Sequence, residues 1–224
     1  MREKTAGPRR IAQHMWIFSA LIMLLGCQST YYAAMEKIGM HKRDILVDRV
    51  EQARTTQEET KEQFQSALEA FSSLTDFAGG DLEDKYTELS KVLGRSEDKA
   101  DELHQRIKAI EDVSAALFRE WEAELKQYSN ANLRRSSAQQ LDATKERYQQ
   151  LIGAMRRAES KIEPVLQPLR DQVLYLKHNL NARAVAALRQ DLNNMRADVS
   201  SLIRELEEAV AEADRFITSM EQDG

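Results

Sequence analysis

The stretch that decides the fold is residues 82–128, LEDKYTELSKVLGRSEDKADELHQRIKAIEDVSAALFREWEAELKQY. Steps of alternately three and four residues through this stretch meet fourteen positions, and eleven of them are apolar or aromatic. The fourteen are Leu82, Tyr86, Leu89, Leu93, Ser96, Ala100, Leu103, Ile107, Ile110, Ser114, Leu117, Trp121, Glu124 and Tyr128. A stripe of this period marks the apolar seam of a coiled coil. At 1.5 Å per residue, the predicted helix is about 70 Å long.

The same spacing continues on both sides of this stretch. Its positions are Leu46, Val50, Ala53, Gln57, Thr60, Phe64, Ala67, Phe71 and Leu74 before it, Leu141, Thr144, Tyr148, Leu151, Met155, Ala158 and Ile162 after it, and Leu188, Leu192, Met195, Val199, Leu202, Leu206, Ala209, Ala213, Phe216 and Met220 in the last helix. Polar residues within such a seam, here Gln57 and Thr60, more often fix the helix register than bind a ligand. Residues 165–180 have a broader apolar face, which predicts that they lie deepest in the bundle.

Three breaks separate the predicted helices: Gly79-Gly80-Asp81, the polar run 129–132, and Glu163-Pro164. Asp81 is a candidate helix cap, and Ser136 with Gln139 has capping-box spacing. The heptad phase shifts near Asn179 and Asn181, which predicts a local unwinding or stutter. Short connections favour antiparallel neighbours, although association of two chains along the stripes stays an alternative. The prediction is an all-α, elongated antiparallel helical bundle or coiled coil of about four long helices, with residues 41–222 as a single domain.

Composition and charge exclude several classes of function. The net charge is −5, and residues 27–224 carry −8, whereas nucleic-acid binding needs a concentrated basic surface. No glycine is followed by lysine, so a phosphate-binding loop is absent and no nucleotide is expected. No histidine has a glutamate three residues before it, and a single cysteine cannot build a thiolate metal site. We expect no catalytic residues, no metal and no cofactor.

The N-terminus predicts export and lipid attachment. A basic start, residues 1–10, precedes a 15-residue mostly apolar run that is short for a membrane span, as in a secretory signal peptide. Leu24-Leu25-Gly26-Cys27 resembles a bacterial lipobox, which implies removal of residues 1–26, acylation of Cys27, and residues 27–40 as a lipid-anchored tether and start of the first helix. By resemblance to lipoprotein sorting in Gram-negative bacteria, Gln28 after the cysteine favours the outer membrane, facing the periplasm. A chance cysteine at the end of a retained signal anchor is the alternative.

Three stretches supply candidate interaction residues: MHKRDILVDRVE at 40–51, NANLRRSS at 130–137, and LRDQVLYLKHNLNARA at 169–184. Ion pairs between helices would account for such charges. The alternative is a docking surface for a partner or for anionic headgroups. The candidate residues are His41, Lys42, Arg43, Asp44, Arg134, Arg135, Lys177, His178, Asn179 and Arg183.

The stretches YYAAMEKIGMHKRDILVDRVEQAR, GGDLEDKY, YSNANLRRSS and LRDQVLYLKHNLNARAVAAL resemble the DUF2959 family of bacterial proteins, over about residues 31–217. The resemblance implies a secreted, often lipoprotein-like, helical protein without an established activity. Some members carry a "DNA repair ATPase" label, which this chain does not support because it has no phosphate loop. We expect a lipid-anchored periplasmic coiled-coil protein with a structural or scaffolding role and a protein partner or self-association. A membrane-binding or membrane-shaping protein is the alternative, and a ligand carrier or enzyme is a third.

Overall fold

The computed structural model describes residues 41–76 and 81–222 of the chain. Six helices form these segments: α1 (Lys42–Thr75), α2 (Leu82–Leu125), α3 (Ala131–Ser160), α4 (Ile162–His178), α5 (Ala182–Leu188) and α6 (Leu192–Gln222). The predicted all-α bundle is therefore confirmed. The signal peptide, Cys27 and the tether lie outside the described residues, as does the Gly79-Gly80 pair.

The chain divides after Ile45 into two units. Within the first unit, the backbone N–H of His41 donates to the Asp44 carboxylate at 3.2 Å. A carboxylate that accepts from a backbone N–H at the start of a helix satisfies a group that has no partner within the helix. Asp44 therefore has a local structural role at the beginning of α1.

In the second unit, contacts between side chains fix the direction of each helix. Lys99 of α2 bonds to Glu59 of α1, while Arg106, further along α2, bonds to Gln52, nearer the start of α1, so α1 and α2 are antiparallel. Against α2, the contacts Arg156–Glu111 and Arg170–Glu97 show that α3 and α4 run antiparallel to it. Against α6, the contacts Arg157–Glu208 and Gln172–Asp191 show the same for α3 and α4. The contacts Lys61–Glu207 and Arg54–Asp214 show that α1 and α6 are also antiparallel. Since α3 and α4 run in the same direction, the topology is up-down-up-down.

The core of the second unit consists of the predicted heptad positions. All the stripe positions of α1, α3 and α6 are buried, and so are those of α2 between Leu89 and Leu117 except Ala100, which is partly exposed. Towards the two ends of this stripe burial is incomplete: Leu82, Tyr86 and Trp121 are partly exposed, and Glu124 and Tyr128 are exposed. The stripes are thus buried within one chain, and burial of each large apolar side chain contributes about 1.5–3 kcal/mol.

Two of the predicted helix boundaries are confirmed. Asp81 caps α2 by accepting from the N–H groups of Glu83 and Asp84, at 2.9 and 3.4 Å. At the predicted seam, α4 ends at His178, and the Asn181 side chain caps the separate helix α5.

Two other sequence-based interpretations are wrong. Ser136 is not a cap, because Asn130 already caps α3 and Ser136 lies inside the helix. Residues 165–180 are not uniformly deep, since Leu174, Tyr175 and Leu180 are 62%, 45% and 38% exposed. The broad apolar face therefore includes side chains that no neighbouring helix covers.

The polar layer predicted at Gln57 and Thr60 is fully buried. The Thr60 hydroxyl donates to the carbonyl of Thr56 at 2.7 Å. Neither the amide oxygen nor the amide nitrogen of Gln57 has a hydrogen-bond partner among the described residues. A buried amide without a partner destabilises the folded state by about 1–3 kcal/mol.

We expect Gln57→Leu to raise the free energy of unfolding by about 1–2 kcal/mol, because leucine fills a similar space without a polar group to desolvate. Urea unfolding followed by circular dichroism measures the change. Thr60→Val is the control, since its hydroxyl is already satisfied, and it should not stabilise. A Gln57→Leu protein that unfolds at lower urea would show that the amide is paired in solution.

Candidate interaction surfaces at the two ends of the bundle

Several charged side chains along the body of the bundle are used in pairs between helices. Lys99 Nζ lies 2.5 Å from Glu59 and 2.7 Å from Glu102, and both partners raise its pKa, with Glu102 the larger cause. Arg170, from the third candidate stretch, bonds to Glu97 and Glu163, each at 2.6 Å. For Arg170 the interpretation as an ion pair between helices is confirmed.

The turn between α2 and α3 is built by local hydrogen bonds. The Asn130 side chain accepts from the N–H groups of Asn132 and Leu133, at 2.9 and 3.2 Å, which starts α3 directly after the turn. Trp121 Nε1 donates to Ser137 Oγ at 2.8 Å and joins the two helices just inside the turn. These bonds hold residues 125–141, here called the tip, in one hairpin.

The tip extends past the end of α6. Arg157 of α3 pairs with Glu208 of α6, and the fourteen residues of α6 that follow Glu208 reach only to about residue 143 of α3. The apolar side chains of the tip therefore lack the neighbour that α6 provides elsewhere. Tyr128 and Leu133 are 38% and 57% exposed.

The tip has an unbalanced charge. It contains Lys126, Arg134 and Arg135 and neither aspartate nor glutamate. Arg134 and Arg135 are exposed, and neither side chain has an ion pair or hydrogen bond within the described residues. A groove of about 680 Å³ lies beside them, lined by Glu122, Leu125, Lys126, Ala131, Arg134, Arg135 and Ala138. The one carboxylate of this groove, Glu122, is paired with Lys145 at 2.5 Å, which lowers its pKa.

The opposite end of the bundle, residues 172–190, is here called the far end. It contains Lys177, His178, Arg183 and Arg189 and no aspartate or glutamate. Arg189 Nε donates to the carbonyl of Thr75 at 2.6 Å, so this arginine joins the far end to the end of α1. The Asn179 amide donates to the carbonyl of Tyr175 at 2.9 Å, which satisfies an acceptor at the end of α4.

The exposed large apolar residues of the described chain are confined to these two ends. They are Tyr128, Leu133, Leu174, Tyr175 and Leu180. Scattered exposed apolar residues need no explanation, but apolar groups gathered beside unpaired basic groups mark interaction sites. Each end therefore offers apolar contact together with positive charge.

The structure separates the predicted interaction residues into groups. Arg134 and Arg135 lie on the first turns of α3, whereas Lys177, His178, Asn179 and Arg183 lie at the far end. The 42 steps along the chain from Arg135 to Lys177 correspond to about 60 Å along α3 and α4. His41, Lys42, Arg43 and Asp44 belong to the first unit. Within the second unit, Arg134 and Arg135 therefore do not share one surface with the four candidate residues at the far end.

The family comparison bears on this arrangement. A family model described as "Protein of unknown function (DUF2959)" matches residues 31–220. The chain belongs to the DUF2959 family. The match spans both the tip and the far end, so the two surfaces lie within the family's own domain. The comparisons with curated proteins and with solved structures returned no match.

Two further searches concern other kinds of site in this DUF2959 protein. Within residues 41–76 and 81–222, histidine, cysteine and carboxylate side chains do not gather in groups of three or more that could hold a metal ion. Over the same residues, no helix combines the length and apolarity needed to cross a membrane.

The ion pairs of the body predict an acid dependence of stability. Lys99 bonds to the Glu102 carboxylate and lowers its pKa, and Arg106 adds to this effect while burial opposes it. A carboxylate whose pKa is lower in the folded state stabilises the fold above its unfolded pKa, and this stabilisation is lost as the pH falls through its folded pKa. Unfolding of this DUF2959 protein should therefore become easier below about pH 4.5.

We expect Glu102→Gln to reduce the free energy of unfolding at neutral pH by less than about 1 kcal/mol, because the pair is partly exposed. The difference from wild type should shrink as the pH falls, since protonation removes the same charge. Urea unfolding across the acidic range measures both effects. Glu221→Gln removes an exposed carboxylate that has no ion pair among the described residues, and it should leave the profile unchanged. A Glu102→Gln profile parallel to wild type at every pH would contradict this assignment.

Proposed function

We propose that this DUF2959 protein is a lipid-anchored, periplasm-facing protein of the bacterial envelope with a structural or scaffolding role and no catalytic step. The observation that carries the proposal is the position of its exposed apolar residues at two ends of a closed bundle, about 60 Å apart. A scaffold needs two attachment points held at a fixed separation. The heptad stripes, buried within one chain, provide the rigid spacer.

The attachment to the membrane is proposed at Cys27. The sequence before it has the basic start, apolar middle and lipobox-like end of a lipoprotein signal. Two or three acyl chains would hold the protein firmly, whereas one chain binds a bilayer only marginally. Cys27 is nineteen residues before Leu46, where the second unit begins. Because α1 and α2 are antiparallel, Leu46 faces the half of α2 that leads to the tip.

The second attachment is proposed at the far end, to a protein partner or to a second copy of the chain. Leu174, Tyr175 and Leu180 would supply the apolar centre of such a contact, since aromatic and aliphatic anchors dominate binding energy in interfaces. Lys177 and Arg183 would pair with carboxylates at its rim. An acidic surface with an apolar centre is the complementary partner.

Membrane binding or membrane shaping is the second candidate function. It is favoured by the basic, partly apolar tip, which lacks carboxylates over residues 125–141. Nucleic acid and nucleotide are not proposed as ligands, and a DNA repair ATPase activity is not proposed either. A ligand carrier or an enzyme would need an inward-facing polar cluster, and the spacing of the sequence suggests none.

Metabolic labelling of cells with an alkyne-bearing fatty acid tests the anchor. We expect label on the wild-type chain and none on Cys27→Ala, because the thiol is the proposed acceptor. Leu25→Ala, which brings the lipobox closer to its usual form, is the matched control and should keep the label. Equal labelling of wild type and Cys27→Ala would refute acylation at this residue.

Site-specific photocrosslinking in intact cells tests the far end. A benzophenone amino acid placed at Leu174 or Leu180 should give a discrete adduct, because both side chains are exposed beside the basic cluster. Exposed Arg204, on the body of α6, is the control position and should give none. An adduct at twice the mass of the chain indicates self-association, and a different mass indicates a partner protein. The same adducts from Arg204, or none from Leu174 and Leu180, would count against this surface.

A further inference from the structure

The tip, like the far end, differs from the body of the bundle in the sign of its charge. It carries +3, whereas all the other residues of the chain together carry −8. A protein with this distribution is repelled by an anionic surface along its acidic portions and attracted at its basic end. An anionic surface would therefore orient the bundle with an end towards it.

We propose that the tip rests on the anionic phospholipid headgroups of the membrane. Arg134 and Arg135 would bind lipid phosphates, for which the planar guanidinium group is suited because it donates two parallel hydrogen bonds. Neither arginine has a partner within the described part of the chain, so neither has to give up an ion pair to bind. This proposal deepens the proposed function, because it requires the chain to be at a membrane.

The apolar groups of the tip fit the same occupant. Leu133 directly precedes the two arginines and is 57% exposed, and Tyr128 lies in the turn at 38% exposure. Tyrosine is enriched where a membrane meets water, because its ring is apolar and its hydroxyl is polar. The groove beside Arg134 and Arg135, of about 680 Å³, would accommodate a headgroup. Its carboxylate Glu122 is paired with Lys145, so the phosphate would not face a free negative charge.

The far end has residue types similar to those of the tip, but it lies at the opposite end of the bundle. Arg189 is hydrogen-bonded to the carbonyl of Thr75, and the far end lies about 60 Å from the tip. Leu46, by contrast, lies in the half of the second unit that contains the tip, and Cys27 is nineteen residues before it in the sequence. We therefore assign the membrane contact to the tip and use the far end as the matched control.

Vesicle binding by residues 28–224 tests the proposal without an acyl chain. This chain omits only the signal peptide and the proposed acylated residue. We expect it to sediment with vesicles of equal parts phosphatidylethanolamine and phosphatidylglycerol, and not with phosphatidylcholine vesicles. Binding should weaken steeply as salt is added, because exposed charges are screened.

Arg134→Gln with Arg135→Gln should lower the apparent association constant about thirtyfold, or ~2 kcal/mol, since each basic residue near an anionic surface contributes about half of that. Leu133→Ser should also weaken binding, by a smaller factor. The control pair Lys177→Gln with Arg183→Gln should change binding less than about twofold, because those charges would stay outside the screening length. Thermal unfolding by circular dichroism confirms that each variant is folded.

Energy transfer gives a second measurement that does not depend on a variant. Trp121 is the one tryptophan of residues 28–224, and it is bonded to Ser137 within the tip. Transfer from Trp121 to a dansyl group on a lipid headgroup should be efficient when the tip contacts the vesicle. Docking through the far end would leave Trp121 about 60 Å away and give no transfer.

Four results would overturn the proposal: no binding of wild type to either vesicle, equal binding to both, equal losses from the tip and far-end pairs, or binding without energy transfer. The acylation experiment remains separate. A chain that is labelled at Cys27 but does not bind vesicles would refute the tip contact and leave the anchor. A chain that binds vesicles through the tip but is not labelled would refute the anchor and leave the tip contact.

Discussion

The structure depends on the burial of unbroken heptad stripes between four helical segments of one chain. Leu103, Ile107 and Ile110 of α2 are fully buried, as are Val199, Leu202 and Leu206 of α6. Helices that each carry one apolar stripe can bury all of these stripes when they surround a common core. Because the stripes are used within the chain, the body has few apolar groups left to offer. Within residues 41–76 and 81–222, the exposed large apolar side chains lie at the tip and at the far end.

The sequence predicts the stripes but not the point at which each neighbour ends. Residues 165–180 have an apolar face of nearly constant width, so the pattern alone suggests uniform burial. In the structure, Gln172 already contacts Asp191, the residue before α6 begins, at 3.4 Å. Val173 and Leu176, at the same level of α4, are only 8% and 0% exposed, so Leu174 and Tyr175 are exposed because they lie on a side of the helix that no neighbour covers. Which side of α4 is covered depends on the positions of distant helices, and no local pattern contains that information.

The local sequence likewise does not show which basic residues of the candidate stretches are paired in the structure. Arg170 and Arg134 both occur in stretches that mix basic and apolar residues, and their local sequences do not distinguish them. Arg170 has Glu97 opposite it on α2, whereas α6 ends before it reaches the level of Arg134. The absence of carboxylates from residues 125–141 and 172–190 was visible in the sequence. The exposure of Leu133 and Leu174 beside those charges was not, because it requires the relative positions of the helix ends.

The polar layer around Gln57 has a consequence for a scaffold. A fully buried amide without a described partner reduces stability, so a bundle selected for stability alone would favour leucine at this position. A buried polar residue in a heptad stripe is instead associated with a fixed register and oligomeric state. A register slip of α1 by one heptad would move its end by about 10 Å. A protein whose two ends must be held at a constant separation has a physical reason to retain this layer, even though it weakens the core.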